Sequence, residues 1–165
     1  MRAAHSLLAA LSLLAALPIA ARSAGGTGCN AVPNVATLGS GTGGAFGTLH
    51  LAGLGVPDID VAGSFAFQVS GGVPHAPGVL LLARREMPIV STTFQTTIYT
   101  GAFGVAVPFI CDGTGAAVIA PAPTTQPIAE LCGMDLVAQA TVFDFTAPGG
   151  SSWSNGLRFR FGSIP

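Results

Sequence analysis

The chain has 165 residues, only 8% of them charged, and a formal net charge of −1 at pH 7, against about 25% charged residues in an ordinary soluble domain. Its six basic residues are all arginine, so there is no lysine-rich patch to neutralise phosphates. That excludes nucleic acid and an anionic membrane surface as natural partners.

The first two dozen residues read as a secretory signal peptide, residues 1–24. Arg2 supplies a positive start, Ser6 to Leu17 ("SLLAALSLLAAL") form the apolar stretch, and Pro18 breaks it before the small residues of "IAARSAGG". The apolar run is too short to span a bilayer. Cleavage after Ala21, Ser23 or Gly25 satisfies the small-residue preference, which places the product outside the cell or in the periplasm, without a transmembrane anchor. A buried N-terminal helix is the alternative reading, but nothing else in the chain has a helical pattern. A lipid anchor on Cys29 would need leucine three residues earlier, where Gly26 stands. The expected mature chain keeps Arg84, Arg85, Arg158 and Arg160 against seven acids, a net charge of about −3.

Residues 25–46 form a glycine-rich lead-in, and residues 47–165 are expected to form the folded domain. The lead-in contains Gly39-x-Gly41-x-x-Gly44, the spacing that cradles a pyrophosphate in dinucleotide-binding folds, with Asp58 and Asp60 following. That fingerprint works only where the last glycine opens a helix. Here it runs into "TLHLAGLG", a strand and a turn, so no cofactor is implied.

Eight short runs follow, bounded by Gly, Pro and Asp: 48–54, 65–70, 78–83, 93–100, 103–110, 116–120, 135–143 and 157–161. Phe65, Phe67 and Val69 share one face by period-two alternation, as do Phe103, Val105, Val107 and Phe109. Leu157, Phe159 and Phe161 point away from Arg158 and Arg160. Short strands at this spacing read as an all-β antiparallel sandwich or barrel. One helical turn is expected near "PIAELCG", 127–133.

Nucleophilic catalysis finds no support. No serine sits in a G-x-S-x-G elbow. His50 is expected to point outward from a strand, and His75, in "GVPHAPG", to lie in a turn. The Asp58-x-Asp60 pair is the closest carboxylate couple. It begins like a calcium loop, with Gly63 at the sixth position, but Ala62 and Val69 stand where two ligands belong. Asp58 and Asp60 are thus a candidate Ca site whose competing explanation is turn chemistry, side chains bonding backbone amides. Trp153 and Tyr99 are the candidate stacking platforms for a sugar. In "TTFQTTIYT", Thr93, Gln95, Thr97 and Tyr99 are expected to share one polar face. Trp153, in a loop before the last strand, either stands exposed or packs back over the sheet edge.

Cys29, Cys111 and Cys132 match no metal spacing. One disulfide and one leftover thiol are expected, and Cys111–Cys132, closing a loop of about twenty residues, is the favoured pair. Cys29 would then be free or pair between chains.

Several turn motifs recur in a fixed order: "GTGC" (26–29), "LHLAGLGVPDIDVAGSFAFQVSGG", "APGVLLLA", the Asp112-Gly113 turn of "DGTGAAVIAPAP", "MDLVAQATVFDF", and "WSNGLRFRFG". Together they resemble the C-terminal module of secreted planctomycete-type bacterial proteins. The chain departs from that pattern at Asn30 and Ala31 and in having Cys132. The resemblance implies an immunoglobulin-like β-sandwich without established catalytic residues, often the tail of larger exported proteins. It also brings the "SNG" stretch forward as structural, with Asn155-Gly156 suiting the left-handed positions of a tight turn. The expected function is an exported, non-catalytic module with a structural, adhesive or sorting role, its partners envelope proteins or polysaccharide. A carbohydrate- or Ca-binding module is the alternative, and a hydrolase comes third.

Overall fold

The computed structural model describes residues 29–61, 63–101, 104–120 and 128–164. The expected signal peptide and Phe103 lie outside them. The described chain is nearly all β. Its strands are β1 (Asn34–Leu38), β2 (Gly43–Gly44), β3 (Gly47–Thr48), β4 (His50–Gly55), β5 (Phe65–Ser70), β6 (Pro77–Ala83), β7 (Ile89–Ser91), β8 (Thr96–Ile98), β9 (Val105–Ile110), β10 (Ala117–Ile119), β11 (Asp135–Phe143) and β12 (Ser151–Arg160). A short 3₁₀ turn over Ile128–Leu131 falls where a helical turn was expected.

Antiparallel pairing assembles a five-stranded sheet, β1-β12-β11-β6-β9, and a three-stranded sheet, β10-β5-β4. Two short ribbons, β2-β3 and β7-β8, stand beside them. One apolar cluster joins the two sheets: Leu51, Phe65, Phe67 and Val69 from the smaller, with Leu49 just before β4, meet Leu80, Ala138, Ala140, Val142, Leu157 and Phe159 from the larger. The alternation in "FAFQVS" gives the strictly alternating burial of β5, because successive side chains of a strand point to opposite faces. Aromatic edges fill the centre: Phe67 meets Phe65 and Phe159 edge-on at centroid distances of 5.1 and 5.2 Å. Phe65 stacks on Phe159 at 5.5 Å.

Three departures from the sequence expectations shape the rest of the molecule. The lead-in is not separate from the domain, since β1 pairs with β12 from Asn34↔Arg160 to Leu38↔Gly156. The stretch expected as one strand over 93–100 is half turn and half strand, because β7 and β8 fold on each other with Ser91↔Thr96 closing the tip. The last strand begins at Ser151, six residues earlier than expected, and Asn155 and Gly156 lie within it rather than in a turn. Gly156 is excluded from a left-handed turn by its regular pairing with Gln139.

The ends of the described chain meet at one pole. Cys29 is disulfide-bonded to Cys132, 103 residues away. Next to it, Ser163 N–H donates to Ala31 C=O at 3.0 Å and Ile59 N–H to Gly162 C=O at 2.9 Å. This corrects the expected Cys111–Cys132 bridge. Cys111 lies in the core with 1% of its surface exposed, near Gly72 at the far end of β5, whereas Cys132 pairs with Phe161 beside the N-terminal segment.

Candidate functional site

A buried side-chain amide, that of Gln139, ties the β7-β8 ribbon to the outer face of the five-stranded sheet. Ala138 and Ala140 point into the core, so Gln139 between them points outward, yet it is fully buried because the ribbon covers it. Its Oε1 accepts from Tyr99 N–H at 2.8 Å, and its Nε2 donates to Thr97 C=O at 3.0 Å and Ser154 C=O at 2.9 Å. The side chain thus supplies the backbone pairing that the ribbon lacks on this side. At the ribbon tip the Phe94 ring packs on Trp153, 5.3 Å between centroids. Gln95 follows in the left-handed region at φ 50°.

Facing the ribbon is the glycine segment, and its glycines are there for close approach. A Cβ on Gly41 would stand 2.0 Å from Leu49 C=O. At Gly39, with φ +60°, it would stand 2.0 Å from the Tyr99 hydroxyl. Thr42 is stitched to β12 by a reciprocal pair: Thr42 N–H donates to Trp153 C=O and Trp153 N–H to Thr42 Oγ1, both at 2.7 Å. The segment that resembled a dinucleotide fingerprint is therefore a strap laid against the end of the sheet.

Between ribbon and strap lies an open cleft of about 650 Å³. Ser40 and Thr42 line one side, Ser91, Thr92, Gln95, Thr96 and Thr97 the other, with Tyr99, Val90, Pro148 and three strap glycines completing it. Tyr99 forms its floor, the ring against Gly156 and the hydroxyl over Gly39. Among the described lining residues there is no Asp, Glu, Lys, Arg or His. What the cleft offers is hydroxyls, an amide, glycine backbone and one aromatic edge.

Two of the three expected platform residues, Gln95 and Tyr99, therefore converge on one cleft, while Trp153 does not. Trp153 is 8% exposed, its indole N–H donates to Ser151 Oγ at 3.1 Å, and it lies within β12. The exposed-platform reading of Trp153 is thus corrected in favour of packing, and Trp153 supports the ribbon from below. The polar face expected from Thr93, Gln95, Thr97 and Tyr99 does not form as a flat strand, because residues 92–95 make the turn. Two residues that matter here, Thr42 and Gln139, carried no distinguishing sequence signal. A glutamine in an alternating strand looks the same whether water or a ribbon covers it.

Asn155 serves as a clamp between the sheets. Its Oδ1 accepts from Leu51 N–H and its Nδ2 donates to Leu51 C=O, each at 2.9 Å, so the amide mimics one rung of a ladder to β4.

The carboxylates are occupied structurally. Asp58 Oδ1 accepts from Asp60 N–H at 2.9 Å, the Asx turn expected of it, and Asp60 Oδ2 accepts from Ser163 Oγ. The twelfth position of the would-be calcium loop, Val69, is buried core. Among the described residues no three His, Cys, Asp or Glu side chains are grouped to hold a metal. Asp112 Oδ1 accepts from Thr114 Oγ1, Thr114 N–H and Ala116 N–H at 2.6, 2.8 and 3.0 Å. These donors, Thr114 foremost, hold the Asp112 carboxyl below its ordinary value. Gly113 lies in that turn, but the left-handed residue there is Gly115 at φ 77°. Asp144 is buried, which by itself would raise its pKa; donors from Thr146, Ser152 and Ala147 outweigh that and hold it low. Asp135 pairs bidentately with Arg160 at 2.9 and 2.7 Å, across the β11-β12 register, and Glu86 pairs with Arg158. His50 is exposed on β4, and His75 is exposed in a turn at φ 59°.

No protein-family model matches the chain, and neither a curated protein nor a solved structure matches it.

Proposed function

We infer that the chain is an exported, non-catalytic module of the immunoglobulin-like sandwich type, with a structural, adhesive or sorting role in the envelope or outside the cell. The observation that carries this reading is the Cys29–Cys132 disulfide, which ties the N-terminal segment to the stretch just before β11 beside a two-sheet core. Such a bond persists in an oxidising compartment, where the signal-like N-terminus would send the chain. The two antiparallel sheets around one apolar core support the sandwich reading, and the ordered turn motifs support kinship with the planctomycete-type module. A non-catalytic role is supported by how the acids are used. Asp58, Asp112 and Asp144 accept backbone amide hydrogens, while Asp135 and Glu86 pair with arginines.

Cell fractionation with N-terminal sequencing tests the assignment. The expected chain is found outside the cytoplasm and starts between residues 22 and 26. An intact N-terminus in the cytoplasm would remove the exported reading. Turnover of glycoside or ester substrates by the purified chain, abolished by a single substitution, would remove the non-catalytic one.

A further inference from the structure

We propose that the cleft between the β7-β8 ribbon and the glycine strap binds a neutral polyhydroxylated ligand, a segment of an uncharged polysaccharide. Its volume of about 650 Å³ lies within the range of small-ligand sites, about 300–1,000 Å³. Its lining selects the chemistry. Hydroxyls of Ser40, Ser91 and Thr96 and the amide of Gln95 each donate and accept, as sugar hydroxyls do. A charged ligand would find no opposite charge among the described lining residues, and an apolar one would leave these groups without partners. The Tyr99 ring offers an apolar edge against which a sugar C–H face can rest.

A second observation singles out Gln95. It holds a left-handed conformation, φ 50°, at the exposed tip of the ribbon, a conformation that glycine adopts freely and a larger side chain only at a cost. Glycine would hold this turn without strain. The glutamine side chain, on the cleft wall, is what the strain retains.

The test is an amide-resonance titration of the exported chain with neutral hexasaccharides of glucose, xylose and mannose. An anionic galacturonate oligomer and an uncharged Ser/Gly-rich peptide serve as comparisons. The expected result is saturable shifts confined to the strap and the ribbon with at least one neutral saccharide. Gln95→Gly and Ser40→Ala should each weaken that binding about tenfold, the loss of one or two hydrogen bonds. Gln95→Gly should also raise Tm by a few degrees as the backbone relaxes, which separates lost recognition from lost folding. Shifts elsewhere on the surface, preference for the anion or the peptide, no binding of any saccharide, or indifference to both substitutions would overturn the proposal. Because the site is inferred for a non-catalytic module, the same samples are checked for shortened saccharides. Cleavage would overturn the non-catalytic reading while leaving the site in place.

Discussion

At Gln139 one side-chain amide bonds three backbone groups while wholly shielded from solvent. Truncation strands an N–H and two carbonyls, each costing about 1–3 kcal/mol when buried unpaired. Gln139→Ala is therefore expected to destabilise the fold by at least about 3 kcal/mol, and to speed hydrogen exchange at Tyr99 first. Chemical denaturation combined with amide exchange checks both. Asp144 makes a different kind of prediction. Its carboxyl is held below its ordinary value in the folded state, so its stabilising effect is fully present above the unfolded value, about 3.9. It disappears as pH falls through the lower folded value. Asp144→Asn should lower Tm at pH 7 but narrow the drop in Tm between pH 6 and pH 2.5, measured by calorimetry. An unchanged acid slope would show that Asp144 is not the responsible group. The Arg160–Asp135 pair, though bidentate, is about half exposed on both sides, and such pairs contribute only about 0–1 kcal/mol. Asp135→Asn should be nearly silent.

At the scale of elements, legibility followed how directly a pattern reports burial. β5 is readable because period-two alternation is what a half-buried strand imposes, and its Phe67, 1% exposed, lies in the core between the sheets. Phe67→Ala is expected to cost about 3–5 kcal/mol by leaving a cavity between the sheets, checked by urea titration. Residues 93–100 read as one strand because the ribbon tip, Thr92–Gln95, holds none of the Gly, Asn or Pro residues that mark turns, and β7 carries no separate signal. The turn is carried instead by Ser91 Oγ, which accepts from Phe94 N–H, and by the left-handed Gln95. The start of β12 is hidden for the opposite reason. Ser-Asn-Gly is turn chemistry by composition, but Ser154 and Asn155 spend their side chains on Ala140 and Leu51, and Gly156 leaves room for the Tyr99 ring. Of the candidate site, the ribbon side was legible through Gln95 and Tyr99. The strap side was not, because the pairing of β1 with β12 that brings it there is long-range.

The whole molecule is closed at the pole where Cys29, Cys132, the Asp58 turn and the C-terminal segment meet. A bridge spanning 103 residues restricts the unfolded chain strongly, by about 4–5 kcal/mol in the chain-entropy picture. Reduction should accordingly lower Tm by on the order of 10–20 °C, seen in melts with and without reductant. At the other end of β5, the Cys111 thiol is buried in the core, and burial, with the nearby Asp112 carboxylate, pushes its pKa up. It should stay unreactive until the sheets separate. Sequence spacing pointed to the shorter Cys111–Cys132 loop, since loop length is visible in a sequence and the route of the N-terminal segment is not.

The most direct measurement is non-reducing peptide mapping of the exported chain, with thiol labelling before and after denaturation. The expected result is one disulfide, Cys29–Cys132, and a single thiol at Cys111 that takes label only once the chain is unfolded. A Cys111–Cys132 bridge, three free thiols, or rapid labelling of Cys111 in the native protein would contradict it.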